Sequence, residues 1–319
     1  MKSKDNTVIS VVIPCYYSER TIVQVVEMTI EEFAKQEKYS CEFVLVNDGS
    51  TDGTYEKIKR LAKKYSFVKG INLLRNFGQH NALMAGLHFA EGDYVLGMDD
   101  DMQTHPSQIF YLVDKINEGY DLVYGHYGKR KNSFLKNMSS KLNEISSRIL
   151  LGRPKEIVSS NFWIITAQVA TEVCKYDSFN PYIDGIFYRV TRNIGNVEVE
   201  HHKRKVGKSN YTFKKLLRLW MAYWNYSVIP LRISSVVGAF TAMAGFVAAI
   251  VTVIFKVVDS TMVLGWASII CVLLVFFGLI LLSLGIIGEY LGKILLTLNH
   301  TPQYIVRESV NTQEETNDR

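Results

Sequence analysis

Short runs of consecutive apolar residues alternate with segments of helical period through the first part of the chain. Val8 to Pro14, Glu42 to Val46, Lys69 to Leu74 and Tyr94 to Met98 are almost uninterrupted apolar runs, as expected of strands buried on both faces. Between them, Thr21 to Lys35, Asp52 to Tyr65 and His80 to Ala90 carry apolar residues at helical spacing. Regular alternation of strand and helix predicts an α/β domain built on a mostly parallel, doubly wound sheet.

The pattern changes near residue 230. Ile233 to Phe255 and Val263 to Ile287 contain no charged residue, and each is longer than the ~20 residues a helix needs to cross a hydrocarbon core. Joined by Lys256 to Met262, they read as a transmembrane hairpin. Basic residues are dense before the first span and sparse in the connection. That asymmetry predicts a multi-pass protein of the cytoplasmic (inner) membrane, with the large N-terminal domain, both termini and the tail after Gly288 on the cytoplasmic side. In Thr212 to Ile229, Phe213, Leu216, Leu217, Trp220 and Trp224 share one helical face and Lys214, Lys215 and Arg218 another. A basic, aromatic amphipathic helix of this kind suits the lipid interface. The expected organisation is a soluble domain over residues 1–210, an interfacial helix over 211–232, a hairpin over 233–288 (spans 233–255 and 263–287) and a tail over 289–319. The tail ends in a polar stretch expected to be disordered, and Thr301 to Glu308 is a candidate short strand.

Composition changes this picture little. With 36 Lys and Arg against 31 Asp and Glu in 319 residues, the net charge of +5 does not mark a nucleic-acid binder. Cys15, Cys41, Cys174 and Cys271 are far apart in sequence, so no zinc or redox spacing appears, and unpaired thiols fit a cytoplasmic domain. Met1 to Thr7 is polar and lacks the apolar core of a signal peptide.

The most informative chemistry is the run Asp99-Asp100-Asp101, directly after the strand Tyr94 to Met98. Three adjacent carboxylates at the end of a buried strand repel one another. A hard divalent cation such as Mg²⁺ relieves that repulsion through oxygen ligands and also grips phosphates. Strand ends are where open α/β sheets bind ligands. The first strand runs into Pro14-Cys15-Tyr16-Tyr17-Ser18-Glu19, the second into Asn47-Asp48-Gly49-Ser50-Thr51-Asp52-Gly53. Asp48 is placed to accept hydrogen bonds from a base or ribose. Ser50 and Asp52 are read as caps of the following helix.

Taken in order, these segments resemble the family 2 glycosyltransferases of GT-A (nucleotide-diphospho-sugar transferase) fold, and within them the polyprenyl-phosphate glycosyltransferases related to dolichyl-phosphate mannose synthase. The resemblance rests on Val11-Val12-Ile13-Pro14, Asn47 to Thr54, Arg75-Asn76-Phe77-Gly78, Asp99-Asp100-Asp101-Met102-Gln103, Arg204 to Tyr211 and Gly285 to Gly292. It implies that Pro14, Tyr16 and Glu19 line a base pocket with Asp48. It also implies that Asp101, assisted by Gln103, holds Mg²⁺ or Mn²⁺ and that Asp99 contacts the nucleotide or donor sugar. Arg204, Ser209 and Arg75 are then phosphate contacts. Asp184 lies where the family often carries a proposed base; it is read as orienting the acceptor, or else as a turn residue before Gly185. His201 and His202 are not read as metal ligands. The chain departs from the family at Asn161-Phe162-Trp163, where relatives usually carry an Asp-Phe-Arg-like triplet. That departure bears on sugar or acceptor identity.

The activity implied is an inverting, metal-dependent transfer of a sugar from a nucleotide-sugar, UDP-sugars first among them, to a polyprenyl phosphate. Two rivals stand beside it: transfer to a hydroxyl of a lipid-linked saccharide, and a non-catalytic membrane scaffold that binds nucleotide-sugar. The lipid bilayer is an expected partner. Gly238, Gly245, Gly278 and Gly285 permit close helix approach, and relatives in this family form tetramers, so a homotetramer is expected.

Overall fold

A computed structural model describes residues 6–127, 148, 153–200, 266–299 and 301–312, with scattered positions between 231 and 254. The chain divides into two compact units, one of Met1–Thr212 with Thr301–Arg319 and one of Phe213–His300.

The first unit is built on an eight-stranded sheet. In chain order its elements are β1 (Thr7–Cys15), α1 (Ile22–Phe33), β2 (Tyr39–Asn47), α2 (Thr54–Lys64), β3 (Val68–Leu73), α3 (Gln79–His88) and β4 (Tyr94–Gly97), then α4 (Ile109–Ile116), β5 (Leu122–Tyr127), β6 (Trp163–Thr166), α5 (Ala167–Cys174), α6 (Ile183–Val190), β7 (Ile194–Val199) and, much later, β8 (Val306–Val310). The spatial order is β7-β5-β6-β4-β1-β2-β3-β8. β1 pairs in parallel with both β2 and β4, and β2 with β3, while β6 runs antiparallel beside β4. The parallel block is apolar on both faces. Ile9, Val11, Val12 and Ile13 of β1 and Phe43, Val44, Leu45 and Val46 of β2 are fully buried, so their sequence shows no period-2 alternation. α1 turns Ile22, Val25, Val26 and Phe33 toward this core, the i, i+3, i+4, i+11 stripe that makes it amphipathic. α2 does the same with Tyr55, Ile58, Leu61 and Ala62.

All seven elements expected between residues 8 and 98 are present, within a few residues of their expected ends. The C-terminal segment differs. The short strand begins at Val306 rather than Thr301, because Thr301-Pro302 cannot supply consecutive ladder donors. It does not lie apart as a tail. It pairs antiparallel with β3 (Ile71 with Ser309, Asn72 with Glu308) and closes that edge of the sheet. Just beyond it, Asn311 Nδ2 donates to the carbonyls of Ala62 (2.7 Å) and Val68 (2.9 Å). The tail's expected disordered end lies outside the described residues.

In the second unit α7 (Trp266–Leu298) spans 33 residues. It runs past the expected end at residue 287, because Glu289 to Leu298 contains no proline and the next one along the chain is Pro302. Within it Phe276–Leu298 is long and apolar enough to cross a membrane. The Ser234 hydroxyl lies 2.6 Å from that of Ser283 on α7. The interfacial helix expected over 211–232 falls almost entirely outside the described residues.

One contact in the first unit carries a pH dependence. In the first turn of α3 the His80 ring stands edge-on to Tyr182 of the α5–α6 connection, centroids 4.8 Å apart. Its Nδ1 is enclosed without a hydrogen-bond partner among the described residues, and burial pushes its pKa down from 6.5 to about 4. The imidazole is therefore neutral in the fold and protonated in the unfolded chain between those values. Its contribution is complete above pH 6.5 and is lost as pH falls through 4. Urea unfolding of the full-length protein in detergent, followed by tryptophan fluorescence at pH 7 and pH 4.5, should show His80→Phe losing less stability on acidification than the wild type. The difference should be on the order of 2–3 kcal/mol.

Candidate active site

Because β1, β2, β3 and β4 are parallel, the four loops that follow them emerge on one edge of the sheet. The chain proceeds from β1 outward to β3 and then returns to the other side of β1 with β4. That reversal opens a crevice between β1 and β4, the place where open α/β sheets bind ligands. A cleft of about 320 Å³ lies there. Pro14, Cys15 and Tyr16 enter it from β1 and Asp48 from β2; Asn76, Gly78 and Gln79 enter from the β3–α3 connection, the three aspartates from β4, and Asn161 from the residues before β6.

Asp48 is 3% exposed and locks two of these loops together. Its Oδ1 accepts the Phe77 N–H at 2.7 Å and its Oδ2 the Gly78 N–H at 3.0 Å. These donors open the N-terminus of α3, where backbone N–H groups have no helical acceptor and the helix dipole favours an anion. Burial raises the Asp48 pKa, and the two N–H donors oppose that rise. The next residue, Gly49, has φ +66°, and a Cβ there would sit 2.3 Å from the Arg75 carbonyl carbon. Only glycine allows the β2 loop to close on the β3 loop. Of the two expected caps, Asp52 does cap α2, its Oδ1 accepting the Thr54 N–H (3.2 Å) and hydroxyl (2.6 Å). Ser50 does not: its Oγ is drawn instead to the Tyr17 N–H at 3.0 Å, across the mouth of the cleft.

The three aspartates have separate surroundings. Asp99 Oδ1 accepts from Gln79 Nε2 and Oδ2 from Asn161 Nδ2, both at 2.9 Å. Asp101 Oδ1 accepts the Gln103 N–H at 3.0 Å around Met102, whose φ is +60°. Asp100 turns inward and accepts from the Ser18 hydroxyl. Burial, and then the negative charges of Asp99 and Asp101, push its pKa up to about 7. Burial is the larger cause of that rise, and the two neighbouring carboxylates add to it. Among the described residues no three such side chains converge as a ready metal-ligand group; carboxylate oxygens are nonetheless the donor type that a hard divalent cation such as Mg²⁺ or Mn²⁺ takes.

Of the residues expected at the site, Pro14, Tyr16, Asp48, Asp99 and Asp101 meet in the cleft. Others lie elsewhere. Glu19 turns to α2, where its Oε2 accepts the Gly53 N–H at 3.2 Å. The Arg75 guanidinium stacks on the Phe77 ring, 4.4 Å from its centroid. Gln103 contributes its backbone N–H, and its side chain is not part of the cleft lining. Asp184 is buried away from the cleft lining, accepting the Tyr124 hydroxyl at 2.7 Å and the Tyr182 hydroxyl at 3.2 Å. Burial raises its pKa against the pull of those two tyrosines and of Arg153. Arg204 and Ser209, like His201 and His202, lie outside the described residues. Cys15, Gln79 and Asn161 join the cleft without having been expected to line it. Asn161 had a signal, because it opens the segment that departs from the family pattern. The rest of that segment is core: Phe162 and Trp163 are each 1% exposed. The indole of Trp163 fills the place of a side chain at its cross-strand partner Gly97, where a Cβ would come within 2.3 Å of it.

The sequence profile described as Glycosyl transferase family 2 matches residues 10–173. The chain is 31% identical over 305 residues to an "Uncharacterized glycosyltransferase YkcC" of Bacillus subtilis, covering 94% of this chain and 93% of that protein. It is 30% identical over 313 residues to an undecaprenyl-phosphate 4-deoxy-4-formamido-L-arabinose transferase of Proteus mirabilis, covering 96% and 95% of the two chains. Among solved structures, a glucosyl-3-phosphoglycerate synthase from Mycobacterium tuberculosis, in complex with Mn²⁺, UDP and phosphoglyceric acid, superposes with a TM-score of 0.51. It has 20% identity and covers 69% of this chain and 77% of that one, a likeness of fold.

Removing the Asp48 carboxylate orphans two N–H groups at the start of α3. Asp48→Ala should lower stability by about 1–3 kcal/mol, read as a lower urea midpoint, and Asp48→Asn, which keeps one acceptor, should lose about half as much.

Proposed function

We propose, for a chain that belongs to glycosyl transferase family 2, that it transfers a sugar from a nucleotide-sugar, UDP-linked in the first instance, to a polyprenyl phosphate with inversion at the anomeric carbon. The observation that carries this reading is the Asp99–Asp101 carboxylate cluster at the switch point between β1 and β4. The relative named as an undecaprenyl-phosphate transferase, matched along 96% of this chain, supports the acceptor. The neighbour solved with Mn²⁺ and UDP supports the donor and the metal.

In the reaction, an oxygen of the acceptor phosphate attacks the anomeric carbon as its bond to the diphosphate breaks, and nucleoside diphosphate leaves. The second pKa of a phosphate monoester is about 6. The nucleophile is therefore already largely dianionic near neutral pH and needs no strong base. The enzyme's task is to hold two anionic reactants together, through position and charge compensation. Pro14, Tyr16 and Asp48 form the nucleotide side of the cleft. Asp101, with Gln103 beside it, would hold Mg²⁺ or Mn²⁺, which when bound neutralises charge on the departing diphosphate. Arg204, Lys205, Lys208 and Ser209 supply positive charge and hydrogen bonds for the lipid phosphate, and Arg75 is a further phosphate contact. Asp184 acts by fixing Tyr124 and Tyr182 rather than by taking a proton.

The same reading includes the membrane. The first unit gathers chain from both before residue 213 and after residue 300, so the intervening segment crosses a bilayer an even number of times. Two spans, 233–255 and 263–287, meet that condition as a hairpin, and the Ser234–Ser283 contact suits their lying side by side. Both ends of the chain then share the cytoplasmic side with the cleft, and the glycines of the spans suit a homotetramer.

Purified full-length protein with Mn²⁺, a short polyprenyl phosphate and a panel of UDP-, GDP- and dTDP-sugars should release nucleoside diphosphate from at least one donor, and Asp101→Ala should reduce that release by at least about 100-fold. Folded protein that turns over no donor would count decisively against the proposal. With a phosphate acceptor, Asp184→Asn should retain more than about a tenth of wild-type turnover; complete loss in a folded variant would favour a hydroxyl acceptor that needs a base.

A further inference from the structure

The chain returns from its apolar region at the edge of the sheet where the cleft opens. β8 runs antiparallel to β3, and its first residue, Val306, pairs with Leu73, the last of β3. One step further on, the Leu74 N–H donates to the Ile305 carbonyl at 2.8 Å. Leu74 and Ile305 therefore face each other across the ladder, and their side chains leave it on the same side. Leu74 is 45% exposed and Ile305 42%. Single exposed apolar residues are ordinary on any surface, but a facing aliphatic pair at a sheet edge is a small apolar patch. Arg307 stands beside the pair, its Nη2 donating to the Leu74 carbonyl at 3.1 Å. That exposed guanidinium carries further N–H donors in a plane suited to phosphate. Exposed Tyr16 and Tyr17 follow β1 on the same edge, whereas exposed Phe67 precedes β3 and lies at the opposite one.

The length of the connection says what covers the pair. α7 is long and apolar enough to cross a membrane as far as Leu298, and only residues 299–304 stand between it and Ile305. Even fully extended, such a connection reaches at most about 25 Å. If α7 spans the bilayer, Leu74 and Ile305 are tethered close to the leaflet surface at which it ends. Their chemistry matches that surface: aliphatic side chains suit the boundary between head groups and acyl chains, and a neighbouring arginine suits the lipid phosphates. Resting on the membrane reading above, we infer that Leu74 and Ile305 insert into the head-group layer of the cytoplasmic leaflet, with Arg307 on a lipid phosphate. This is a point of membrane contact separate from the spans. Leu74 leads directly into the connection whose Asn76 and Gly78 line the cleft. Docking of the pair therefore holds the mouth of the cleft at the depth where the phosphate of a membrane-embedded acceptor lies.

The test uses full-length protein with Cys41, Cys174 and Cys271 replaced by serine; Cys15 is buried and stays. One cysteine is then introduced by Leu74→Cys, Ile305→Cys, Phe67→Cys or Ile280→Cys and labelled with a nitrobenzoxadiazole fluorophore. Each protein is reconstituted into vesicles of phosphatidylethanolamine and phosphatidylglycerol that carry a spin label on the lipid head group or in the acyl chain. Residue 280 on α7 reports the span, and residue 67 the far edge of the sheet. Quenching by the head-group spin label should be at least about threefold stronger at 74 and at 305 than at 67. Adding Arg307→Glu should lower it at 305 by about half. Quenching at 74 and 305 no stronger than at 67, with residue 280 quenched from the acyl chain, would overturn the docking surface and leave the membrane reading standing. Labels at 74 and 305 that lipid does not quench but that are shielded from iodide would overturn it too, because another protein chain would then cover the pair. Unchanged quenching in Arg307→Glu overturns the phosphate contact. A residue 280 that neither lipid label quenches overturns both readings.

Discussion

Everything at the sheet edge of this protein answers to one electrostatic constraint: three carboxylates on consecutive residues at the end of β4. Among the described residues that line the cleft around them there is no lysine or arginine. Neutral donors among the described residues reach each of them: the amides of Gln79 and Asn161 on Asp99, the hydroxyl of Ser18 on Asp100, and the Gln103 N–H on Asp101. Hydrogen bonds of this kind orient the acids without adding positive charge, and burial, followed by the charges of Asp99 and Asp101, raises the pKa of Asp100. A site that keeps its negative charge is selective for cations and their complexes, and poor at holding a bare phosphate. That is why a diphosphate and a divalent cation belong together in any account of its chemistry.

The constraint reaches into the core. To put Asn161 beside Asp99, β6 must run antiparallel to β4 and enter the sheet at β4's C-terminal end. The register sets Trp163 opposite Gly97. The indole lies over the space that any larger residue would take, and packs edge-on against Phe187 with centroids 4.9 Å apart. The glycine at the end of β4, the tryptophan of β6 and the asparagine two residues before it form one solution.

The parallel half of this fold was readable because its strands are buried on both faces and its helices carry clean amphipathic stripes; local pattern and local environment coincide from β1 to β4. Beyond β4 they separate. β6 has only four residues and β8 only five, with charged Arg307 and Glu308 in its middle, so neither has the apolar length that announces a strand. Each is made by its partner, β4 or β3. The acidic run, Pro14, Tyr16 and Asp48 were legible because parallel strands send their following loops to the same edge. Glu19 and Arg75 are not among the residues lining the cleft, because sequence distance from that edge does not say which way a side chain turns: Glu19 accepts the N–H of Gly53, and Arg75 stacks on the face of Phe77. Gln79 and Asn161 meet only through Asp99, across 82 residues of chain, and no local pattern encodes such a meeting.

The closing strand β8 ties the two halves of the sequence to one function. It is separated from the rest of its unit by the whole apolar region, yet it holds the end of β3: Leu74 N–H donates to the Ile305 carbonyl at 2.8 Å, and Arg307 donates to the Leu74 carbonyl at 3.1 Å. The four residues after Leu74 form the Arg75–Gly78 wall that Asp48 grips. On the far side, Asn72 connects Glu308 (3.4 Å) to Asn47 (2.8 Å), the residue before Asp48. The strand that follows the apolar helix therefore buttresses both of the loops that Asp48 joins. A soluble domain with a membrane anchor appended at its end would have no reason to finish its sheet after the anchor. Here the sheet is completed only when the chain returns, so the apolar region is an insertion within the catalytic unit, and a change in that region has a short covalent path, through residues 301–306, to the loops of the site.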